Sequence, residues 1–299
     1  MSTSLDVRRV LALLRRALFF YVFFAVLNLQ IVFLLLLIPG VDMDGARAAW
    51  ANAGAIPTLL TVAALLLERR KPVEPLDPWH KGWLLGFVMF AFWALSYLGI
   101  GALVRPERVT RFAFEIDRAI PFHPVWVFLY VCVYPMYLLP FLVESTPAVY
   151  RRLAVGYAIV LSISYMVFLT MPVAFDRPDT SITAKQYALW VLGKVHGLDP
   201  PWNCFPSTHC AVALMSGLML YEMHKPLGIW GLATATSIAL STTFTKQHYV
   251  IDVVAGCALA AVTYVLLKRL TPQARAADAH AVRPEAQDAC RRTEPERPT

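Results

Sequence analysis

The apolar residues of this chain come in blocks of about 20, each long enough to cross a bilayer as a helix rising 1.5 Å per residue. No other feature constrains the fold as strongly, because a soluble core draws its apolar residues from shorter amphipathic runs. Composition agrees. Of 299 residues, 58% are hydrophobic and only 16% charged, with a mean hydropathy of +0.55, against roughly 25% charged residues in a soluble domain. A soluble domain, a disordered chain and a disulfide-stapled secreted module are excluded, and an all-α polytopic membrane protein is expected.

Eight spans are expected, near residues 17–39, 48–67, 82–104, 123–143, 153–171, 208–223, 227–244 and 249–267. Asn52, Gly54 and Pro57 interrupt the second, which reads alternatively as an interfacial helix. The first follows Arg8, Arg9, Arg15 and Arg16, the flank of a signal peptide. Its apolar run of about 22 residues exceeds the ~7–15 of a signal core, so an uncleaved helix is favoured. The spans divide the chain into an N-terminal two-helix extension (1–81), a six-helix core (82–270) and a tail (271–299). The tail's Ala, Pro and mixed charge predict disorder. With the N-terminus inside, two thirds of the 27 Lys and Arg fall on the cytoplasmic side. This places both termini in the cytoplasm of a multi-pass cell-membrane protein.

The net charge of +7 does not indicate nucleic acid, because the cations lie between apolar blocks and form no basic stripe. Cys132, Cys204, Cys210, Cys257 and Cys290 include no CxxC and no metal-ligand spacing, so neither a disulfide framework nor a metal site is expected. On the expected outer face, Arg105, Arg108, Arg111 and Arg118 follow the third span. Arg177, Lys185 and Lys194 follow the fifth, and Lys246 lies between the seventh and eighth. Such a gathering reads either as loop solubility or as a site for an anionic ligand.

Two stretches carry chemistry: Asn203-Cys204-Phe205-Pro206-Ser207-Thr208-His209 at the start of the sixth span, and Lys246-Gln247-His248-Tyr249-Val250-Ile251-Asp252 at the start of the eighth. One helical hairpin separates them, so both histidines begin helices on the same face. His248 and Asp252, at i and i+4, share one side of a helix. A carboxylate there can hold one ring N–H and leave the other nitrogen lone pair free, as a nucleophilic or basic imidazole requires. Ionisable groups at a membrane helix end are costly and mark function by default. Pro206-Ser207-Thr208 reads as a helix start, either capping its own helix or offering N–H groups to a phosphate. Asp176 and Asp179 flank Arg177 and are expected to orient it. His123 and His196 lack a paired acid at helical spacing, and Met215, Met219, Met223, Tyr130, Tyr134 and Tyr137 read as packing or interfacial residues.

Phe205-Pro206-Ser207-Thr208-His209, then Ser241 and His248-x-x-x-Asp252, resemble the second and third signature motifs of the type 2 phosphatidic acid phosphatase superfamily. Arg177-Pro178 resembles the end of the first. The Asn–Phe-Pro-Ser-x-His and Lys-x-His-Tyr-x-x-Asp forms, with Asp117-Arg118-Ala119-Ile120-Pro121-Phe122, are most similar to the inositol phosphorylceramide synthase branch. The resemblance covers about 82–268. It implies that His248 attacks phosphorus to form a phosphohistidine, with Asp252 orienting it, and that His209 protonates the leaving alcohol and then activates the acceptor. Ser207, Arg177, Lys246 and the N–H groups after Ser207 would hold the phosphoryl oxygens. No metal or cofactor is implied.

Thr170 and Thr242 stand where the first and third motifs usually carry Lys and Arg, and Lys246 replaces one missing cation. Fewer cations favour a monoanionic diester donor over a dianionic monoester. A lipid phosphoester substrate in contact with membrane lipids is expected, either hydrolysed or transferred to a lipid alcohol. The alternative is an anion or lipid transporter without chemistry, against which stands the lack of inverted-repeat symmetry.

Overall fold

The computed structural model describes residues 7–39, 48, 51–68, 82–112, 114–180 and 186–271. The tail beyond Thr271 lies outside them, as do Arg47, His80 and Lys185. Among the described residues the chain is helical, without named strands: α1 (Val7–Leu36), a π turn (Ala51–Ala55) leading into α2 (Ile56–Glu68), α3 (Gly82–Leu103), α4 (Glu115–Ala119), α5 (Val127–Tyr130), α6 (Val133–Leu142), α7 (Pro147–Thr170), α8 (Tyr187–Leu198), α9 (Thr208–Met223), α10 (Lys225–Phe244) and α11 (Val250–Leu270). The fold is the expected all-α polytopic membrane protein. Six segments are long and apolar enough to span: Arg9–Leu36, Gly82–Leu103, Pro124–Leu142, Pro147–Thr170, Lys225–Phe244 and Val250–Leu270.

The other two expected spans are shorter, for different reasons. The block at 48–67 is a 13-residue helix behind a π turn, interrupted where Asn52 and Gly54 stand. Asn28 Nδ2 on α1 donates to the Asn52 carbonyl at 2.9 Å, so that bend answers a polar group from the neighbouring helix. The block at 208–223 is a 16-residue helix buried around most of its circumference. α9 packs against α6, α7, α10 and α11. A helix that is apolar all round belongs in the middle of a bundle, and protein rather than lipid covers it.

Aromatic side chains fill the space around α9. Trp93, Tyr137 and Tyr157 stack at centroid distances of 4.9 and 4.1 Å, and the Tyr157 hydroxyl meets Ser216 Oγ on α9 at 2.6 Å. Met215 and Met219 are buried, the packing role their spacing suggests. Leu95 and Val88 on α3, Met166 on α7 and Val254 and Val262 on α11 point away from the bundle, as lipid-facing residues do. α1 joins through Val22 and Val26 in the core and through Gln30, which donates to Thr234 Oγ1 on α10 at 2.8 Å.

At one end of the bundle three connecting segments are laced together. Thr110 N donates to the Pro172 carbonyl at 2.9 Å, Ala174 N to the Thr110 carbonyl at 2.9 Å, and Cys204 N to the Val173 carbonyl at 3.2 Å. This platform lies against the starts of α9 and α11, which approach very closely. A Cβ on Gly256 would lie 2.3 Å from the Ser207 carbonyl oxygen, which is backbone and has nowhere to go.

Gly256→Ala is therefore expected to force α9 and α11 apart and destabilise the protein by about 1–3 kcal/mol. Gly156→Ala is the control, because its Cβ would meet the flexible ends of Met215 and Leu267 at 3.2–3.4 Å. Thermal unfolding in detergent should show a lower midpoint for the first variant and little change for the second. Equal midpoints would show that the close approach carries no energy.

Candidate active site

Ser207 is the N-cap of α9, and its Oγ accepts from Cys210 N at 3.3 Å. The same hydroxyl also lies in hydrogen-bond contact with the Cys210 side chain. Ser207 N donates to the Asp252 carbonyl at 3.0 Å, which ties the first turn of α9 to the first turn of α11. The link between α10 and α11 is equally determined. Gln247 N and His248 N both donate to the Thr242 carbonyl, at 2.9 and 3.2 Å, and Lys246 adopts a left-handed conformation with φ 56°. That reversal turns His248 back under the platform. Thr242, where a cation was missing from the motif, thus serves through its carbonyl.

The two histidines meet. His248 Nε2 lies 3.4 Å from His209 Nδ1, and both rings are buried. His248 Nδ1 lies 3.0 Å from the Cys204 carbonyl oxygen and 3.5 Å from Asp252 Oδ2. A carbonyl and a carboxylate can only accept, so the proton belongs on Nδ1 and the Nε2 lone pair faces His209. Asp252 is shared more widely than its spacing suggests, because Oδ2 also accepts from Tyr249 N at 2.9 Å as half of a capping box. The backbone of Cys204 holds the ring more closely than Asp252 does.

Of the two acids expected to orient Arg177, Asp176 is engaged elsewhere, binding Arg111 at 2.7 Å. The partner of Arg177 is Asp199, whose backbone carbonyl accepts from Nη1 at 2.7 Å and whose Oδ2 accepts from Nη2 at 3.2 Å. Tyr97 donates to Asp199 Oδ1 at 2.6 Å and Tyr130 to Oδ2 at 3.2 Å. The Tyr130 hydroxyl also lies 2.9 Å from His209 Nε2. Arg177 Nε is buried and has no hydrogen-bond partner. Sequence reasoning missed Asp199 and read Tyr130 as packing. An acid directly after an apolar helix and just ahead of the Asn203–His209 motif was the available signal. His196 sits beside this cluster but stays neutral, since burial and then the Arg177 charge push its pKa down to about 4.

Lys246 is turned away from the histidines. Its Nζ donates to the Asp117 and Ile120 carbonyls at 2.8 and 2.5 Å, and Asp117 Oδ1 accepts from Val250 N at 2.8 Å. The Asp117–Phe122 segment is thereby clamped to the α11 entrance. Burial lowers the Lys246 pKa from its ordinary value, with Asp117 opposing. A cavity of about 660 Å³ opens here, lined by Arg111, Arg118 and Lys246 among Phe112, Phe175 and Tyr249. A second, of about 200 Å³, runs along Phe90, Trp93, Tyr97 and Leu98 of α3 to His209 and is almost entirely apolar. Trp93 Nε1 is buried without a hydrogen-bond partner.

Among the described residues, one group has metal-ligand types close together: Cys204, His248 and Asp252, within 4.8 Å. Its chemistry does not suit a metal ion. A thiolate is needed, yet burial raises the Cys204 thiol well above its ordinary value, and Sγ points to the Pro201 and Gln247 carbonyls at 3.3 and 3.5 Å. The His248 Nδ1 proton is already held by the Cys204 carbonyl.

Asp252→Ala removes the acceptor for Tyr249 N and should cost about 1 kcal/mol of stability. Asp252→Asn keeps an acceptor oxygen but loses the charge, and should unfold near the wild-type temperature. Calorimetry of both variants in detergent checks this, and a matched loss would show that the charge rather than the cap stabilises the helix start.

No curated protein and no solved structure matches the chain. A family profile described as the PAP2 superfamily matches residues 116–266, about half of the chain. That segment runs from the clamped Asp117 region through the platform to α11, and it contains both histidines, Asp252, Ser207, Arg177 and Lys246. The chain belongs to the PAP2 superfamily, and supports a phosphatase-type function in a membrane.

Proposed function

We propose that the protein cleaves lipid phosphoesters through a phosphohistidine on His248 and passes the phosphoryl group to water or to a lipid alcohol. The observation that carries this reading is the His248 Nε2 lone pair, held by the Cys204 carbonyl on Nδ1 and facing His209 Nδ1 at 3.4 Å. Nucleophile and acid–base partner must flank one phosphorus, with reacting atoms about 3–3.5 Å apart before attack. The rings are now in contact, so substrate must part them.

In this reading Asp252 orients His248, and His209 protonates the leaving oxygen and then deprotonates the acceptor. Phosphoryl oxygens would take the Ser207 hydroxyl, the N–H groups that follow it and the free Arg177 Nε. Lys246 acts from further out through the proton its two carbonyl partners leave. Such donors stabilise spread negative charge by position, as a phosphoryl-transfer site requires. The apolar slot ending at His209 supports a lipid alcohol there, and Trp93 Nε1 offers a donor to an oxygen of that lipid.

The larger cavity, with Arg111, Arg118 and Lys246 in its wall, exceeds what a phosphate alone needs. It favours transfer of a phospho-headgroup, as in the inositol phosphorylceramide synthase branch, over simple hydrolysis. The Lys and Arg distribution supports cytoplasmic termini and a site at the extracytoplasmic face of the cell membrane. We assign residues 82–270 to the catalytic core and the first two helices to an extension packed on it.

Purified protein in lipid micelles should turn over phosphate-labelled lipids, and His248→Ala should reduce turnover to background. Label transferred intact to an added alcohol marks a transferase, and label released as inorganic phosphate marks a phosphatase. Lipid binding preserved in His248→Ala, with no turnover by the wild type on a panel of monoesters and diesters, would instead favour a non-catalytic lipid or anion transporter.

A further inference from the structure

Asp199 is 8% exposed, and its two oxygens take three side-chain donors, from Tyr97, Tyr130 and Arg177. A buried ion pair of this kind is rarely needed for stability, since apolar residues of similar volume often do as well. It reaches His209 through the Tyr130 hydroxyl, which is fully buried and 2.9 Å from His209 Nε2. No signature motif includes Asp199 or Tyr130.

The protons on this route can be placed from the partners. A carboxylate only accepts, so the single Tyr130 proton is drawn to Asp199 Oδ2. The Tyr130 oxygen then offers a lone pair to His209, which places a proton on Nε2. His209 Nδ1 is left as the exchangeable nitrogen, and it faces His248.

Building on the phosphohistidine reading, we propose that Asp199 and Tyr130 are positioning residues that keep His209 protonated on Nε2, so that only Nδ1 exchanges protons with substrate and acceptor. In the first step the P–O bond breaks and its electron pair stays on the leaving oxygen, which takes the Nδ1 proton as His248 Nε2 bonds to phosphorus. In the second step water or an alcohol gives its proton to Nδ1 while its oxygen bonds to phosphorus, and the P–N electron pair returns to His248. Nε2–H remains on Tyr130 throughout. Asp199 thereby stands to His209 as Cys204 and Asp252 stand to His248, with a tyrosine inserted.

Asp199 is also the anion nearest the imidazolium that the first step consumes. The other groups facing His209 are Trp93 and Tyr97 from α3, Tyr130 from α5, Tyr134 from α6, Arg177 from the platform and His248. Removing the Asp199 charge leaves Arg177 uncompensated, and both changes disfavour the cation. Activity that needs protonated His209 is lost as pH rises through its pKa, so the alkaline limb of the profile should move to lower pH.

Matched alkyl and p-nitrophenyl phosphoesters provide the test, because p-nitrophenolate leaves without a proton. Tyr130→Phe and Asp199→Asn are expected to slow the alkyl ester at least about tenfold, part of the ~10²–10⁴ that a placed acid contributes. The first step of the p-nitrophenyl ester, read as the single-turnover release of p-nitrophenolate, should be slowed much less, and it also reports that the variants are folded. Asp199→Asn should move the alkaline limb for the alkyl ester to lower pH, and Asp199→Glu should restore part of both effects. Equal losses in the first step of the two esters, with the limb unmoved, would overturn the proposal and make the network structural. A wild type that turns over neither ester would instead sink the phosphohistidine reading beneath it.

Discussion

The contact on which everything else depends is the one between the first turns of α9 and α11. Ser207 N donates to the Asp252 carbonyl, and Gly256 lets the two backbones approach more closely than a Cβ permits. Each helix carries one histidine at its start, so this single approach sets the distance between the rings. The same contact buries both imidazoles, and burial makes their partners decisive: in a low-dielectric interior an unpaired polar group is costly and a paired one is firmly placed. The Cys204 carbonyl, the Tyr130 hydroxyl and the Asp252 carboxylate can therefore dictate tautomers in a way that water-exposed partners could not.

Around that contact the molecule separates two environments. On one side lie aromatic and aliphatic side chains of α3 and α6, with a narrow slot that reaches His209. On the other lie the laced loops, the clamp between Lys246 and the Asp117–Phe122 segment, and a wider cavity edged with arginine. The cost is a cluster of buried charge, carried by Asp199 and Arg177 and offset by two tyrosines.

Much of this was legible in the sequence. Apolar blocks of membrane length survive as helices because lipid leaves the backbone no other way to satisfy its hydrogen bonds. The two histidine stretches, one hairpin apart, had to reach the same end of the bundle. The block at 208–223 was also visible, although its shortness acquired meaning only when the neighbouring helices enclosed it. The roles of the cations were not legible. Arg177 and Lys246 lie on the right face, but their reach is decided by carbonyls and a carboxylate distant in sequence. Asp176 beside Arg177 gave a wrong partner, because the loop turns it toward Arg111.

The chain by itself determined the class of fold and the pairing of His209 with His248, since these follow from hydropathy and from local spacing along helices, and its motifs resembled those of the superfamily whose profile it matches. Tertiary structure alone decided which atoms face each other: Nε2 of one ring toward Nδ1 of the other, Tyr130 and Asp199 behind His209, and Lys246 spent on a distant loop. The reason is physical. Helix propensity and hydropathy are properties of neighbouring residues, whereas a tautomer is set by whichever acceptor packing brings within 3 Å, and here those acceptors come from segments tens of residues away.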